Sequence, residues 1–83
     1  MMLTKQEKQA IRAIRRAIGA NMQAVRMQKR ITLQRCARIT GISIAKLDKY
    51  EMGKDELNIP ALVKISGVLE VTLDFLLDIK PSQ

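Results

Sequence analysis

The side chains that could do chemistry in this 83-residue chain are almost all cations. There are 15 lysines and arginines against eight acids, no histidine, and one cysteine, Cys36. A chain with no histidine and a single thiol has almost no raw material for a zinc site or a nucleophile–base pair. No enzyme, no metal and no cofactor is therefore expected. What an excess of cations does well is meet a polyanion. The excess is lopsided: residues 1–38 carry ten Lys and Arg with only Glu7 against them, whereas residues 39–83 are net −2. A solubilising surface is the bland counterpart, and charge alone does not choose between the two. The single cysteine permits no intrachain disulfide, and the N-terminal MMLTKQEK lacks a signal-peptide apolar region. No run approaches the ~20 apolar residues of a membrane span. A cytoplasmic, nucleoid-associated protein is expected.

The elements that must position the cations break the tie. Residues 32–51, TLQRCARITGISIAKLDKYE, read as two short helices joined by a tight turn. Thr32 caps the first, over 33–39; Gly41 ends it in the left-handed region; Ser43 caps the second, over 44–51. Ala37 is small enough to let the helices cross closely, and Ile42 and Leu47 are spaced to fill the corner. A small residue, a glycine four later, and apolar residues at 42 and 47 are what a helix-turn-helix requires.

Upstream, Thr4 and Glu7 stand at capping-box spacing, so a helix is expected to begin at residue 5. Its residues sort into three stripes on a 3.6 period. Ile11, Ile14, Ile18, Met22 and Val25 form an apolar stripe; Ala10, Ala13, Ala17, Ala20 and Ala24 lie beside it; Lys5, Lys8, Arg12, Arg15, Arg16 and Arg30 fall on a third face. The stripes stay in phase across Gly19, which argues for one helix of about 25 residues, with a break at Gly19 as the alternative. Downstream, Gly53 takes a positive φ after the second motif helix. Asn58 caps a fourth helix with Pro60 in its first turn and Leu62, Ile65 and Leu69 facing the core. Thr72 caps a short fifth helix, TLDFLLD, with Leu73, Leu76 and Leu77 inward and Phe75 and Ile79 outward. Cys36 falls on the inward side of its helix. The five methionines, at mostly helical spacing, read as core filler.

The motif resembles that of the phage repressor and Cro-type helix-turn-helix DNA-binding proteins, the XRE-like transcriptional regulators. The resemblance rests on Thr32, Ala37, Gly41-Ile42-Ser43, Leu47, Tyr50-Glu51 and Gly53, and it spans 18–79. It implies an all-α, five-helix repressor-like domain with the motif at 33–52, preceded by a helical extension over 1–17 and followed by a tail at 80–83. It also implies double-stranded DNA as partner, with helix 3 in the major groove and helix 2 across the backbone. An Arg at position 26 then pairs with Glu51 as a clamp between helices, which is favoured over a phosphate contact for Arg26.

On that reading Lys46 and Lys49 reach guanine or phosphates, and Ile44 and Ala45 pack on thymine methyls. Ile44 has a core or partner contact as its alternative, and Asp48 is read as solvated. Ser43, Gln34, Arg35, Arg38, Lys54 and Asn58 are backbone-contact candidates, Arg38 being equally well ordinary surface charge. The chain departs from the pattern at Leu33, where glutamine is usual, and at Thr40 and Arg30, where an apolar residue and glycine are usual. A homodimer is expected, with Phe75 and Ile79 as candidate contacts; residues 1–17 either pack on the chain's own core or pair with a second copy. The rival function is an antitoxin-type protein that binds a toxin and autoregulates its operon.

Overall fold

The computed structural model describes residues 2–78. They form five helices and no strand: α1 (Lys5–Gln28), α2 (Leu33–Thr40), α3 (Ile44–Glu51), α4 (Ile59–Leu69) and α5 (Leu73–Leu76). Each begins where a short polar side chain accepts from the backbone N–H three residues on, at Thr4, Thr32, Ser43, Asn58 and Thr72. At Thr4 the exchange is reciprocal: Thr4 N donates to Glu7 Oε1 at 2.8 Å and Glu7 N donates to Thr4 Oγ1 at 3.0 Å. The bond from the Thr4 backbone foremost, and then that with the Thr4 side chain, hold the Glu7 carboxyl below its ordinary pKa.

α1 runs unbroken through Gly19. The glycine is there for space. A Cβ at residue 19 would lie 2.5 Å from the Glu51 carbonyl oxygen and closer still to that of Tyr50. α1 thus crosses the carbonyl end of α3 nearly backbone to backbone. Below this crossing Ile18, Met22 and Val25 meet Leu47, Tyr50, Leu62, Ile65, Leu69 and Leu76 in one core, with Cys36 inside it. Burial raises the Cys36 thiol pKa.

α1 also closes the carbonyl ends of two other helices. Lys29 Nζ donates to the Leu69 carbonyl at 2.6 Å, and Asn21 Nδ2 donates to the Leu76 carbonyl at 2.9 Å. Both satisfy groups that a helix C-terminus leaves unpaired.

The apolar stripe of α1 is buried only from Ile18 onward: Ile11 is half-buried, Ile14 is 46% exposed, and Ala10, Ala13, Ala20 and Ala24 are exposed. Two expectations are corrected. Leu77 follows the last turn of α5 and is exposed, while Leu76 takes the core place alone and Leu73 is half-buried. Of the described methionines only Met22 is core; Met2, Met27 and Met52 are exposed, because helical spacing places a residue on a face without deciding whether anything covers that face. Ile79 lies outside the described residues.

Candidate nucleic-acid interface

The positioning chemistry of the motif is local. Thr32 Oγ1 accepts from Arg35 N and Ser43 Oγ accepts from Lys46 N, each at 3.1 Å. Gly41 sits at φ 76° and takes the chain from α2 into the turn. Thr40, a polar residue in a buried place, is fully used: its hydroxyl donates to the Cys36 carbonyl at 2.7 Å and accepts from Ile42 N at 3.1 Å. It braces the turn from within. Ala37 and Ile42 are half-buried against the core, and Leu47 and Tyr50 are buried.

The carbonyl end of α3 is fixed by Arg26. Its Nε donates to Glu51 Oε2 at 2.6 Å, its Nη2 to Glu51 Oε1 at 3.1 Å, and its Nη1 to the Ile31 carbonyl at 2.9 Å. The fork is thus filled on both sides, with side-chain exposures of 15% and 4% for Arg26 and Glu51. The bond to Glu51 raises the guanidinium pKa further. One side chain thereby ties α1, the α1–α2 connection and α3 together. Arg30, within that connection, holds a left-handed φ of 58°.

With α3 held by its inward face, its outer face is open. Ala45, Lys49 and Met52, at i, i+4 and i+7, are exposed, flanked by Asp48 and by Ile44 at 43% exposure. Lys46 is not on this face. It leans sideways, with its Nζ 3.7 Å from Asp55 Oδ2 and 6.0 Å from the centre of the Tyr50 ring. It borders a cleft of about 370 Å³ between the N-terminal ends of α3 and α4, where Ser43, Asn58 and Lys64 also line the wall. Asn58 Oδ1 is engaged as the cap of α4, accepting from Ala61 N at 2.8 Å. Lys46 and Lys64 beside two helix N-termini, against the one carboxylate of Asp55, leave this cleft electropositive, and its volume admits a phosphate.

The sequence candidates therefore fall into groups. Ile44, Ala45 and Lys49 share the outer face of α3; Ser43, Lys46 and Asn58 border the cleft. Gln34, Arg35 and Arg38 are exposed on α2, and Lys54 is exposed in the loop after α3, where Lys54 N donates to the Lys49 carbonyl at 2.8 Å. Lys64 and Met52 are additions made by the structure. The i+7 step from Ala45 could have found Met52; nothing in the spacing of Lys64 marks it as facing α3. Phe75 is 54% exposed on α5. Among the described residues no three His, Cys, Asp or Glu side chains cluster as a metal site, and no helix is long and apolar enough to cross a membrane.

The helix-turn-helix family model matches residues 22–76. Two curated proteins of Bacillus subtilis (strain 168) are similar. One is named uncharacterized HTH-type transcriptional regulator YqaE and is 39% identical over 57 residues, covering 69% of this chain and 49% of that protein. The other is named SPbeta prophage-derived uncharacterized HTH-type transcriptional regulator YonR and is 39% identical over 59 residues, covering 71% of this chain and 55% of that protein. The chain spans about half the length of the curated relatives it matches.

Proposed function

The chain belongs to the helix-turn-helix family, and on that premise we propose that it is a sequence-specific, DNA-binding transcriptional regulator with α3 in the major groove. The observation that carries the proposal is the pairing of an uncovered outer face on α3 with an electropositive cleft at its N-terminal end. Lys49, between Ala45 and Met52, donates to guanine O6 or N7, and the two apolar neighbours pack on thymine methyls. Ile44 adds apolar contact. Lys46 and Lys64, with Ser43 and the Asn58 amide, receive a backbone phosphate in the cleft, and Lys46 exchanges Asp55 for it. Gln34, Arg35 and Arg38 on α2 and Lys54 in the loop hold the flanking backbone. The names of the two relatives, both HTH-type transcriptional regulators, point the same way.

A regulator of this build binds as a homodimer through α5, where exposed Phe75 supplies an apolar contact. The two α3 helices then read half-sites about one helical turn, ~34 Å, apart.

The test is selection of bound duplexes from a genomic or random pool. A two-fold symmetric site is expected, with Lys49→Ala relaxing the selected sequence and Lys46→Ala or Lys64→Ala weakening binding to all sequences alike. If nothing is enriched over bulk DNA, the proposal fails.

The uncovered first turns of α1, with Leu3 and Ile14 about half exposed, keep one rival in view. They suit an antitoxin-type role in which this helix docks on a partner protein. Co-purification of a stoichiometric partner from the native host, together with no selected DNA site, would favour that role.

A further inference from the structure

Five residues of α1 form a single row at steps of three and four: Gly19, Arg16, Arg12, Lys8 and Lys5. The C-terminal end of this row is packed. Gly19 lies against the Tyr50 and Glu51 carbonyls, and the Arg16 backbone presses on the loop after α3, where a Cβ at Gly53 would lie 2.7 Å from Arg16 Cα. Beyond that contact nothing covers the row, and Lys5, Lys8 and Arg12 are exposed. From Arg16 to Lys5 it advances about 16 Å along the helix axis, at ~1.5 Å per residue.

The charges along the row are unbalanced. Arg15, beside it, has an acid 3.8 Å away, Glu56 of the same loop. Lys5, Lys8, Arg12 and Arg16 have none within ion-pair distance among the described residues. Glu7 is the only acid in this half of α1, and its carboxylate is committed to the Thr4 backbone at 2.8 Å. The loop that the row passes carries Lys54 and leads into the cleft at Asn58. The row therefore adjoins, at Gly53, the loop that leads to the proposed backbone-contacting side of the motif; the acids of that loop, Asp55 and Glu56, lie within ion-pair distance of Lys46 and Arg15 and not of the row.

We infer that the N-terminal half of α1 is a second DNA-binding element, one that lays Lys5, Lys8 and Arg12 along the phosphates flanking the site read by α3. The inference rests on the DNA-binding reading above. The occupant is the backbone of the same duplex. The row presents a cation about every 6 Å or less of its length (three or four residues at ~1.5 Å each), and B-DNA offers one phosphate charge per ~1.7 Å of axis, so each cation finds a partner with no sequence requirement. The element widens the footprint and raises affinity without adding base readout.

The test uses the full chain and a duplex recovered by the selection, extended by ten base pairs at each end. Wild type is compared with the triple variant Lys5→Gln/Lys8→Gln/Arg12→Gln, and with Lys5→Arg/Lys8→Arg/Arg12→Lys, which keeps every charge. Each phosphate contact adds about 0.9 to the slope of log K against log salt, and a homodimer makes three such contacts per subunit, so the neutral variant is expected to lose about 5.4 from that slope and the charge-keeping variant close to none. Backbone footprinting should show protection lost at the flanks and kept at the centre. A neutral variant that is folded by circular dichroism and retains the wild-type slope and footprint overturns the inference while leaving the role of α3 standing. Wild type that binds no duplex in a salt-dependent way overturns both. Lys49→Ala keeps the arms distinct, since it should relax sequence choice and leave flanking protection in place.

Discussion

Replacing Gly19 by alanine separates helix propensity from helix packing. In an isolated helix the change is favourable by about 1 kcal/mol, since glycine is the poorer helix former. In this fold the added methyl group would sit 2.5 Å from the Glu51 carbonyl oxygen and 2.8 Å from the Glu51 carbonyl carbon, with the Tyr50 carbonyl nearer still. All three are backbone atoms of α3, so no rotamer change relieves the contact. Ordinary van der Waals separation requires α1 and α3 to part by about 1 Å, and overpacking of that kind costs typically ~1–3 kcal/mol. The same displacement pulls on the Arg26–Glu51 fork, which is closed at 2.6 Å on the residue next to the crossing. Against the propensity gain of about 1 kcal/mol, a net loss of about 1 kcal/mol, up to about 2, is expected. In a domain of this size a loss of about 1 kcal/mol lowers Tm by roughly 4–8 °C. Gly67→Ala is the internal control. It is helical, at an ordinary φ, and a Cβ there meets nothing within 4 Å. It should raise stability by about 0.5–1 kcal/mol. Chemical and thermal denaturation of the two variants beside wild type measure both effects. If Gly19→Ala is as stable as wild type, the crossing is looser than described and the packing argument is wrong.

Breaking the Arg26–Glu51 fork by Arg26→Met should cost about 3–5 kcal/mol, because it leaves a buried carboxylate unpaired; adding Glu51→Leu should recover much of that, and a denaturant series on the single and double variants decides it. Arg30→Gly should raise stability by about 1 kcal/mol by releasing a side chain held at φ 58°, and an unchanged denaturation midpoint would count against that strain. Burial raises the Cys36 thiol pKa, so its reactive thiolate is suppressed in the folded chain: alkylation near pH 8 should be slow in native protein and fast in denaturant, and rapid native labelling would contradict the burial. The sign for stability follows, since a thiol whose folded pKa lies above its unfolded value costs stability as pH rises past the ordinary thiol range of ~8.5, an increment that Cys36→Ala should remove from the alkaline limb of a stability–pH curve.

Much of this molecule is legible residue by residue because its punctuation is short-range. A cap is a side-chain oxygen and an N–H three residues apart, so Thr4, Thr32, Ser43, Asn58 and Thr72 announce five helix starts without reference to the rest of the fold. Gly41 is equally local, since only backbone freedom is asked of it. The apolar steps Leu62, Ile65 and Leu69 define a face, and that face does enter the core. Contacts between distant segments were another matter. Gly19 offered two readings, and the carbonyls of Tyr50 and Glu51 chose between them from 31 and 32 positions away. Ile14 carries the same apolar signal as Ile18 yet stays exposed, because α3 and α5 reach only as far as the middle of α1. Lys46 and Lys49 look interchangeable as donors. The course of the loop, which brings Asp55 to one and nothing to the other, sends Lys46 to a cleft and leaves Lys49 on the open face. Hydrogen bonds three residues apart are written in the chain; which faces are covered, and where a lysine points, depends on segments that only folding brings together.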